Sequence, residues 1–490
     1  MSEKVQLDKV MGVRDYFMLG FGSMVGVGWC VAINNWISSG GGVLITVISF
    51  ALVTLMIIPI GLCYAEMCPA MPVAGGVLAY SYKAFGVKAS FITGWLALLA
   101  YVNVMPWEAI YINDVINYLF PQMLTGTPLY TLGGAAVYPR SLLFGLLLSG
   151  LMIFINWRGT RIASKVQNFC CYLMIVGAVI IAVFAFAKCD LSNLTPIHQK
   201  LLGKNLSSIP ACMMAVFALA PFHFSGFDTI CQGAEESSKG INYRKLGKVI
   251  VFGIAITGAY YCLMLMSAGV AYPTKAFVLL NRPSICYMFV VLYPGITGRV
   301  LYVITLITAL AGLFSTWNGF YIAGARLCLG MGRARMLPKS FMKIHRKYKT
   351  PVAGNILCGA ACLAGPVVGI GLIDPLSIIG SFAFVVCWLS SAAACWKIRI
   401  TDREMERPFK IPGGTAVMKL ACLFSTVFAL ICILPFSPGY MGSVAVIYLV
   451  VWCALGVSVY LGFAKYRSRF PLAEIEETLF EGLRKDENVS

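Results

Sequence analysis

The feature that most constrains this chain is the recurrence of apolar segments long enough to cross a bilayer. Of its 490 residues, 59% are hydrophobic and 12% are charged, whereas soluble domains have about 45–50% apolar and about 25% charged residues. About 20 apolar residues in a helix span a hydrocarbon core of about 30 Å. We predict an all-α membrane protein with about twelve transmembrane helices, over residues 16–38, 43–65, 91–119, 140–157, 168–187, 209–231, 247–271, 300–325, 352–373, 376–396, 416–436 and 442–464.

The charges are distributed unevenly between the two sides of the predicted membrane. The formal net charge is +18, and with the N-terminus inside, all but seven of the 38 Lys and Arg residues lie on the inner side. Because such residues concentrate on the cytoplasmic side, we expect both termini in the cytoplasm of a multi-pass plasma membrane protein, in bacteria the inner membrane. The basic stretch 326–349 then lies near anionic headgroups, and no nucleic-acid partner is expected. The seven exceptions are Arg140, Lys188, Lys200, Lys204, Lys275, Arg282 and Arg299.

The 18 cysteines give no sign of a metal site or a disulfide framework. Most lie inside apolar segments without the paired spacing that such sites use. We interpret them as small core residues and expect neither a bound metal nor a cofactor. The N-terminus also lacks the pattern of a cleaved signal peptide.

The first apolar segment is interrupted at its centre by the stretch 22–28, GSMVGVG. A helix broken at membrane depth frees backbone groups that hydrocarbon cannot satisfy, so they must line a cavity or bind a polar ligand. The alternative is close helix packing. Packing explains Gly22 and Gly26, which are four residues apart, but not Gly28.

A matching disruption occurs in the sixth segment, where residues 221–228 read PFHFSGFD. Pro removes a backbone donor, and Asp is costly at the bilayer centre. Many secondary transporters consist of inverted repeats with corresponding broken helices, so we predict that segments 1 and 6 both unwind there. The predicted organisation is a cytoplasmic N-terminus over 1–15, a first repeat over 16–195, a second over 196–398, two further helices over 399–464 and a cytoplasmic tail over 465–490.

Two broken helices offer complementary groups for a zwitterion. The N-terminus of the half-helix after the first break presents free N–H groups and a positive dipole end, so a carboxylate would bind the amides of Val27, Gly28 and Trp29. An amine would instead contact freed carbonyls, at Met24 and Val25 and over 222–225. These features together predict an amino-acid site.

Five motifs in sequence order resemble those of the amino acid–polyamine–organocation permeases. The resemblance implies the leucine-transporter fold with a 5+5 inverted repeat, broken helices 1 and 6 and two C-terminal helices. It also implies a symporter or exchanger that moves amino acids or related amines by alternating access, and not an enzyme. The motifs are the stretch 22–28; YAE at 64–66 with PVAGG at 72–76 and residues 80–86; FSGFD at 224–228 with Glu235 and Glu236; residues 324–326, 332–333, 337–338 and 350–352; and RPFKIP at 407–412.

Within the predicted site, Glu108 is an acid in an otherwise apolar part of segment 3, and such acids are functional candidates by default. It would meet a substrate cation or carry a coupling proton, or else form a structural hydrogen bond. His223 is a candidate pH-sensitive group or a hydrogen-bonding partner of loose carbonyls. The resemblance implies an aromatic gate at Phe224, with Trp107 as a second gating candidate. The predicted substrate-binding residues are Ser23, Met24, Val25, Val27, Gly28, Met105, Glu108, Phe222, His223, Phe224 and Ser225.

The coupling ion stays open between sodium, protons and exchange. In sodium-coupled relatives of the fold, two hydroxyls of helix 8 and carbonyls of helix 1 hold the ion, and oxygen ligands suit such a hard cation. Proton-coupled members place a lysine there from helix 5, where this sequence aligns Met174. The hydroxyls alternatively bond their own helix, and protons alternatively pass through Glu108 or His223. The sodium candidates are Gly22, Val25, Gly312, Ser315 and Thr316.

The remaining acids near the inner face are predicted to be gate or scaffold residues, in surface ion pairs worth about 0–1 kcal/mol each. They are Glu66, Asp228, Glu235 and Glu236. The acidic stretch 472–484 is predicted to be a solvated cytoplasmic helix. Besides a transporter, we considered a membrane enzyme, for which no metal motif such as H-E-x-x-H is present, and a nutrient sensor that keeps the transporter fold.

Overall fold

The computed structural model describes residues 5–201, 208–369, 373–481 and 483. Helices dominate these residues. The first half contains α1 (Val13–Met24), α2 (Gly28–Val31), α3 (Ile33–Gly40), α4 (Val43–Ala70), α5 (Val77–Leu119, kinked at Gly86), α6 (Pro139–Trp157), α7 (Thr160–Phe186), α8 (Ile209–Phe224) and α9 (Thr229–Gln232). The second half contains α10 (Tyr243–Ala271), α11 (Thr274–Leu279), α12 (Ser284–Leu292), α13 (Ile296–Arg333), α14 (Val352–Val368), α15 (Ile373–Thr401), α16 (Gly414–Ile433), α17 (Gly442–Gly462), α18 (Ala464–Arg467) and α19 (Leu472–Leu479).

Short elements connect these helices. A two-stranded antiparallel hairpin of β1 (Tyr130–Leu132) and β2 (Ala135–Val137) lies between α5 and α6, with Tyr130 opposite Val137. The 3-10 helices are Pro121–Leu124, Leu191–Leu194, Ala234–Glu236 and Lys339–Met342.

The helices confirm the prediction of an all-α membrane protein. Ten helices of the described chain are long and apolar enough to cross a membrane, or eleven if the bent pair formed by 13–31 and 33–40 counts as one span. The bend between that pair is 77°. The ninth predicted segment corresponds to α14, an apolar helix of 17 residues. Each predicted segment therefore coincides with a helix, and the chain forms an integral multi-pass membrane protein.

Both predicted helix breaks are present. The first span separates into α1 and α2 at residues 25–27, and the sixth separates into α8 and α9 at residues 225–228. The sixth break is shorter than predicted, because Pro221 stays within α8 and its carbonyl still accepts from the Ser225 N–H at 2.9 Å. Gly226 has φ +125°, a conformation that glycine adopts readily.

Helix α13 forms the centre of the bundle, packed against α1, α5, α7 and α14. Its 38 residues correspond to about 57 Å of helix at 1.5 Å per residue, so its ends extend beyond a hydrocarbon core of about 30 Å. Small residues let neighbouring backbones approach it closely. For example, a Cβ atom at Gly330 would lie 2.9 Å from the Ala74 carbonyl oxygen.

The N-terminal segment and the C-terminal helix cover the same end of the bundle. The N–H groups of Val10 and Met11 both donate to the Glu236 carbonyl at 3.0 Å. The helix predicted over 472–484 is present as α19, but it is not solvated on all sides, because Ile475 and Leu479 are buried and the apolar side of this short helix docks on the bundle. Residues 482 and 484 of that prediction, like residues 1–4 and 485–490 of the two predicted termini, lie outside the described residues.

Candidate substrate site between the two helix breaks

The two helix breaks touch each other. A Cβ atom at Gly226 would lie 2.6 Å from the carbonyl carbon of Ser23, so the sixth break lies directly against the last turn of α1, where the first break begins. The Tyr261 hydroxyl of α10 is 2.7 Å from the Met24 carbonyl oxygen and 2.9 Å from that of His223. A phenol has one proton to donate, and this hydroxyl lies between the two broken ends. Sequence reasoning missed Tyr261, since nothing distinguishes it from the other aromatic residues of its helix.

A small cavity of about 20 Å³ opens beside the breaks. Such a volume holds about one water molecule, so an amino acid would require the surrounding side chains to move apart. Nine predicted site residues line it, together with three others. The predicted ones are the substrate candidates Ser23, Met24, Gly28, Glu108, Phe222, His223 and Ser225, the gating candidate Trp107 and the sodium candidate Thr316; the others are Gly26, Val104 and Phe320.

Four predicted substrate residues do not line this cavity, namely Val25, Val27, Met105 and Phe224. Phe224, the predicted gate, is fully buried between Phe50 and Tyr261, with ring centroids 6.2 and 5.6 Å away. The aromatic residue of α8 that lines the cavity is Phe222, whose ring lies 5.3 Å from that of Trp107. The physical reason is that residues two apart on a helix are about 200° apart around its axis.

At the breaks, some backbone carbonyls have hydrogen-bond donors, whereas some backbone N–H groups lack acceptors among the described residues. The Met24 and His223 carbonyls share the single Tyr261 hydroxyl donor, and the Phe222 carbonyl accepts from the Ser225 hydroxyl at 2.6 Å. By contrast, the N–H groups of residues 27–29 have no hydrogen-bond partner within the described ranges. Three of the six predicted carbonyls therefore already have a donor nearby, whereas the predicted amides are open to an acceptor.

Glu108 is the acid beside these free amides. It is 1% exposed, and its Oε2 atom has no hydrogen-bond partner in the part of the chain that the structure describes. Its Oε1 atom and the Thr316 hydroxyl each lie 3.0 Å from where a Cβ atom at Gly26 would stand. A buried ionised carboxylate without a partner is costly, so this group requires a proton or a cation.

His223 is held by α3, which follows the break in the first span. Its Nε2 atom accepts from the Trp36 indole N–H at 3.1 Å, and the rings stack edge to face with centroids 4.6 Å apart. A ring nitrogen that accepts a hydrogen bond carries no proton of its own, so this contact suits the neutral imidazole. On the other side, a Cβ atom at Gly28 would lie 2.8 Å from the His223 ring.

The five sodium candidates also come together. The Ser315 hydroxyl is 2.9 Å from the Gly22 carbonyl oxygen and 2.8 Å from that of Gly312, and the Thr316 hydroxyl is 2.9 Å from that of Gly22. A Cβ atom at Gly312 would lie 3.2 Å from the Val25 carbonyl oxygen. The Ser315 hydroxyl is thus within reach of its own helix and the first helix, whereas the Thr316 hydroxyl bonds the first helix.

Helix α7 approaches this cluster with residues that the sequence alignment missed. A side chain at Gly22 would meet the Gln167 amide and the Cys171 thiol, both of which donate to the Met18 carbonyl, at 3.2 and 3.3 Å. The residue aligned to the lysine of proton-coupled relatives, Met174, comes one helical turn later. Neither Gln167 nor Cys171 carries a positive charge.

Three of the four acids predicted to lie near the inner face form buried ion pairs, which corrects the prediction of weak surface pairs. Arg326 donates to both carboxylate oxygens of Glu236, at 3.0 and 2.8 Å, and both side chains are almost fully buried. The Glu235 carboxylate accepts from Arg333 at 2.5 Å. Burial opposes ionisation of Glu235, but the Arg333 guanidinium outweighs it and holds the pKa of Glu235 below its ordinary value.

The other two acids are also buried, Glu66 on α4 and Asp228 at the sixth helix break. Glu66 is buried with Arg399 and Arg407, at 3.0 and 3.3 Å. Asp228 accepts a hydrogen bond from the Tyr101 hydroxyl at 2.5 Å instead of forming an ion pair.

The sequence matches the model of a known family over almost its whole length. The family is described as amino acid permease, and the match covers residues 11–460. The chain belongs to the amino acid permease family. This permease is therefore a membrane transporter and not an enzyme, which confirms the resemblance that its five motifs suggested.

Three relatives of this permease come from Bacillus subtilis. It is 26% identical to the branched-chain amino acid permease BcaP over 483 residues, covering 96% of each chain. It is 24% identical to a methylthioribose transporter over 478 residues, covering 95% of this chain and 96% of the other. It is 22% identical to an aspartate-proton symporter over 480 residues, covering 95% and 86%. The names of these relatives show different cargoes.

Proposed function

We propose that this permease carries an amino acid or a related organic amine across the plasma membrane by alternating access. The observation that supports this most strongly is that one cavity presents a group for a carboxylate and a group for an amine. The Gly28 N–H group at this cavity has no partner among the described residues and attracts a carboxylate. The Glu108 carboxylate lines the same cavity, its Oε2 atom also lacks a partner there, and it attracts an amine. A zwitterion supplies both groups on one carbon atom.

The cargo can be tested in two steps. Thermal unfolding of the purified permease is measured with each of the twenty amino acids and common amines, because a ligand that binds the native state raises its stability. Each labelled ligand that stabilises is then offered to proteoliposomes. We expect uptake against a concentration gradient. Binding without any flux would favour a nutrient sensor, and no stabilisation by any of these compounds would contradict an amino-acid site.

The same proteoliposomes distinguish the coupling modes. We favour sodium because oxygen ligands suit this ion. The hydroxyls of Ser315 and Thr316 lie close to two backbone carbonyls of the first helix. Uptake that follows a sodium gradient would support it. Uptake that follows a pH gradient would instead favour proton transfer through Glu108 or His223, and uptake that requires internal amino acid would favour exchange.

We also propose that both termini face the cytoplasm. The support is the concentration of Lys and Arg on the side that carries them, where α19 and the N-terminal segment meet. Protease access to α19 in sealed right-side-out vesicles checks this orientation, because a cytoplasmic α19 is protected there.

Glu108→Gln is expected to lower uptake of an amine-bearing substrate by about 10- to 100-fold while leaving the melting temperature nearly unchanged. The charged contact to the amine would be worth about 1.5–3 kcal/mol, whereas Oε2 has no bond within the described structure to lose. Initial uptake rates and unfolding curves measure the two effects. Glu474→Gln, at an exposed acid of α19, is the control.

The alternative for Glu108 is a structural hydrogen bond. It predicts the opposite pattern, a lower melting temperature with full uptake per folded molecule. If Glu108→Gln retains the wild-type rate, cation preference and pH dependence, the proposed role is wrong.

A further inference from the structure

A basic and aromatic cluster lies where α6 ends and α7 begins, against the loop that follows α13. We call it the α6–α7 basic patch, and it consists of Trp157, Arg158, Arg161, His345, Lys347 and Tyr348. The Arg158 guanidinium lies 4.8 Å from the ring centroid of Phe154 and 5.8 Å from that of Tyr348. Lys347 Nζ lies 5.6 Å from the Tyr348 centroid, so two cations share one aromatic ring.

The loop that supplies half of this patch has a defined shape. An antiparallel bridge joins Ile344 to Pro351, and the His345 N–H donates to the Thr350 carbonyl at 2.8 Å. Within the turn, His345 Nδ1 accepts from the N–H groups of Lys347 and Tyr348, both at 3.2 Å. The His345 and Tyr348 rings stack with centroids 4.8 Å apart. The backbone thus fixes the position of the basic side chains.

The positive charges of the patch are not neutralised by the protein. Across the described residues, Arg158, Arg161 and Lys347 form no ion pair, whereas Arg326 and Arg333 on the same face each bind a glutamate. Like charges held close together raise the local potential and favour a bound anion. The patch is therefore an anion-attracting surface of fixed geometry.

A lipid-facing row of apolar side chains leads directly to the patch. Leu143, Leu147, Leu151 and Phe154 on α6 are 61%, 62%, 45% and 53% exposed. Their spacing of three or four residues places them on one side of the helix, and Arg158 continues the same row one turn later. An acyl chain along this row would bring a phosphate headgroup to the Arg158 guanidinium.

We propose that the α6–α7 basic patch binds the headgroup of an anionic phospholipid, with an acyl chain along the exposed row of α6. Arginine and lysine both bind phosphate, the first through its planar fork of donors. The site lies on the face for which we propose a cytoplasmic orientation, and the cytoplasmic leaflet carries the anionic lipids. Binding of the lipid does not depend on which cargo the permease carries.

The test compares phosphatidylglycerol with phosphatidylcholine and inorganic phosphate, using native mass spectrometry and thermal unfolding of the full-length protein. We expect phosphatidylglycerol to bind and stabilise the wild type, and the double variant Arg158→Gln/Lys347→Gln to bind it at least tenfold more weakly. Lys397→Gln is the matched control, because Lys397 Nζ also lies over an aromatic ring, that of Phe85, at 4.9 Å. This control is expected to bind like the wild type.

Three outcomes would overturn the proposal. These are equal binding of phosphatidylglycerol to the wild type and the double variant, equal binding of phosphatidylcholine, and displacement of the lipid by millimolar inorganic phosphate, which would indicate a site for a soluble anion. Should the double variant not fold, the single variants Arg158→Lys and Arg161→Gln give the comparison, the first retaining and the second weakening binding. Since this assay requires no transport, its result is separate from that of the uptake experiments.

Discussion

Replacing Glu236 with glutamine is expected to lower the free energy of unfolding by about 3–5 kcal/mol, the usual cost of leaving one charge of a buried pair without its partner. Both Glu236 oxygens accept from Arg326, and one also accepts from the Thr160 hydroxyl at 2.6 Å. An amide retains one acceptor, and its NH₂ group would face the guanidinium donors. Unfolding of the purified protein by heat and by denaturant measures the loss.

Asp402→Asn is the matched control for this substitution. Asp402 pairs with Lys83 at 3.2 Å, but its side chain is 33% exposed, so the same acid-to-amide change should cost about 0–1 kcal/mol. The double variant Glu236→Met/Arg326→Met should recover much of the stability lost in Glu236→Gln, because it removes both buried charges. If Glu236→Gln is no more destabilising than Asp402→Asn, burial does not strengthen this pair.

Gly226→Ala is expected to abolish transport and to destabilise the protein by more than about 2 kcal/mol, a size that points to a specific steric cause. The residue has φ +125°, and its new Cβ atom would lie 2.6 Å from Ser23 C and 2.8 Å from Met24 N. Both are backbone atoms of the last turn of α1, next to the first helix break. The two breaks would have to separate, and the cavity between them would lose its shape.

Gly240→Ala separates this steric effect from simple backbone strain. Gly240 has φ +75° with no heavy atom within 4 Å of the added Cβ atom, so the expected cost is about 1–2 kcal/mol for the left-handed conformation alone. Uptake in proteoliposomes should be close to the wild-type value. Equal uptake and stability in Gly226→Ala and Gly240→Ala would contradict close contact between the breaks.

The sequence predicted the two breaks correctly because their causes are local. Gly, Pro and Asp at the centre of an apolar segment are unfavourable in a continuous lipid-facing helix wherever the neighbouring helices lie. The same local character explains why Glu108 was recognised: an acid among apolar residues of segment 3 stands out without knowledge of its contacts. The structure then placed it beside the first break, buried and with its Oε2 atom lacking a partner in the described part of the chain.

The details of the site depend on contacts that the sequence pattern does not contain. Phe222 and Phe224 are chemically identical, and only the orientation of α8 decides which one faces the cavity. Likewise, Tyr261 reaches Met24 across 237 positions of sequence. The sequence does not show whether an ion pair is buried, so Glu236 was mistaken for a surface acid.

The sequence by itself determined that this chain is a helical membrane protein, where its spans lie and where two of them break, because hydropathy, glycine and proline act on a segment through its solvent and its nearest neighbours. The tertiary structure alone decided which of the candidate side chains meet at the cavity and which charges are buried. These follow from how helices pack, since a small rotation or shift of one helix exchanges the residues that it presents to the next.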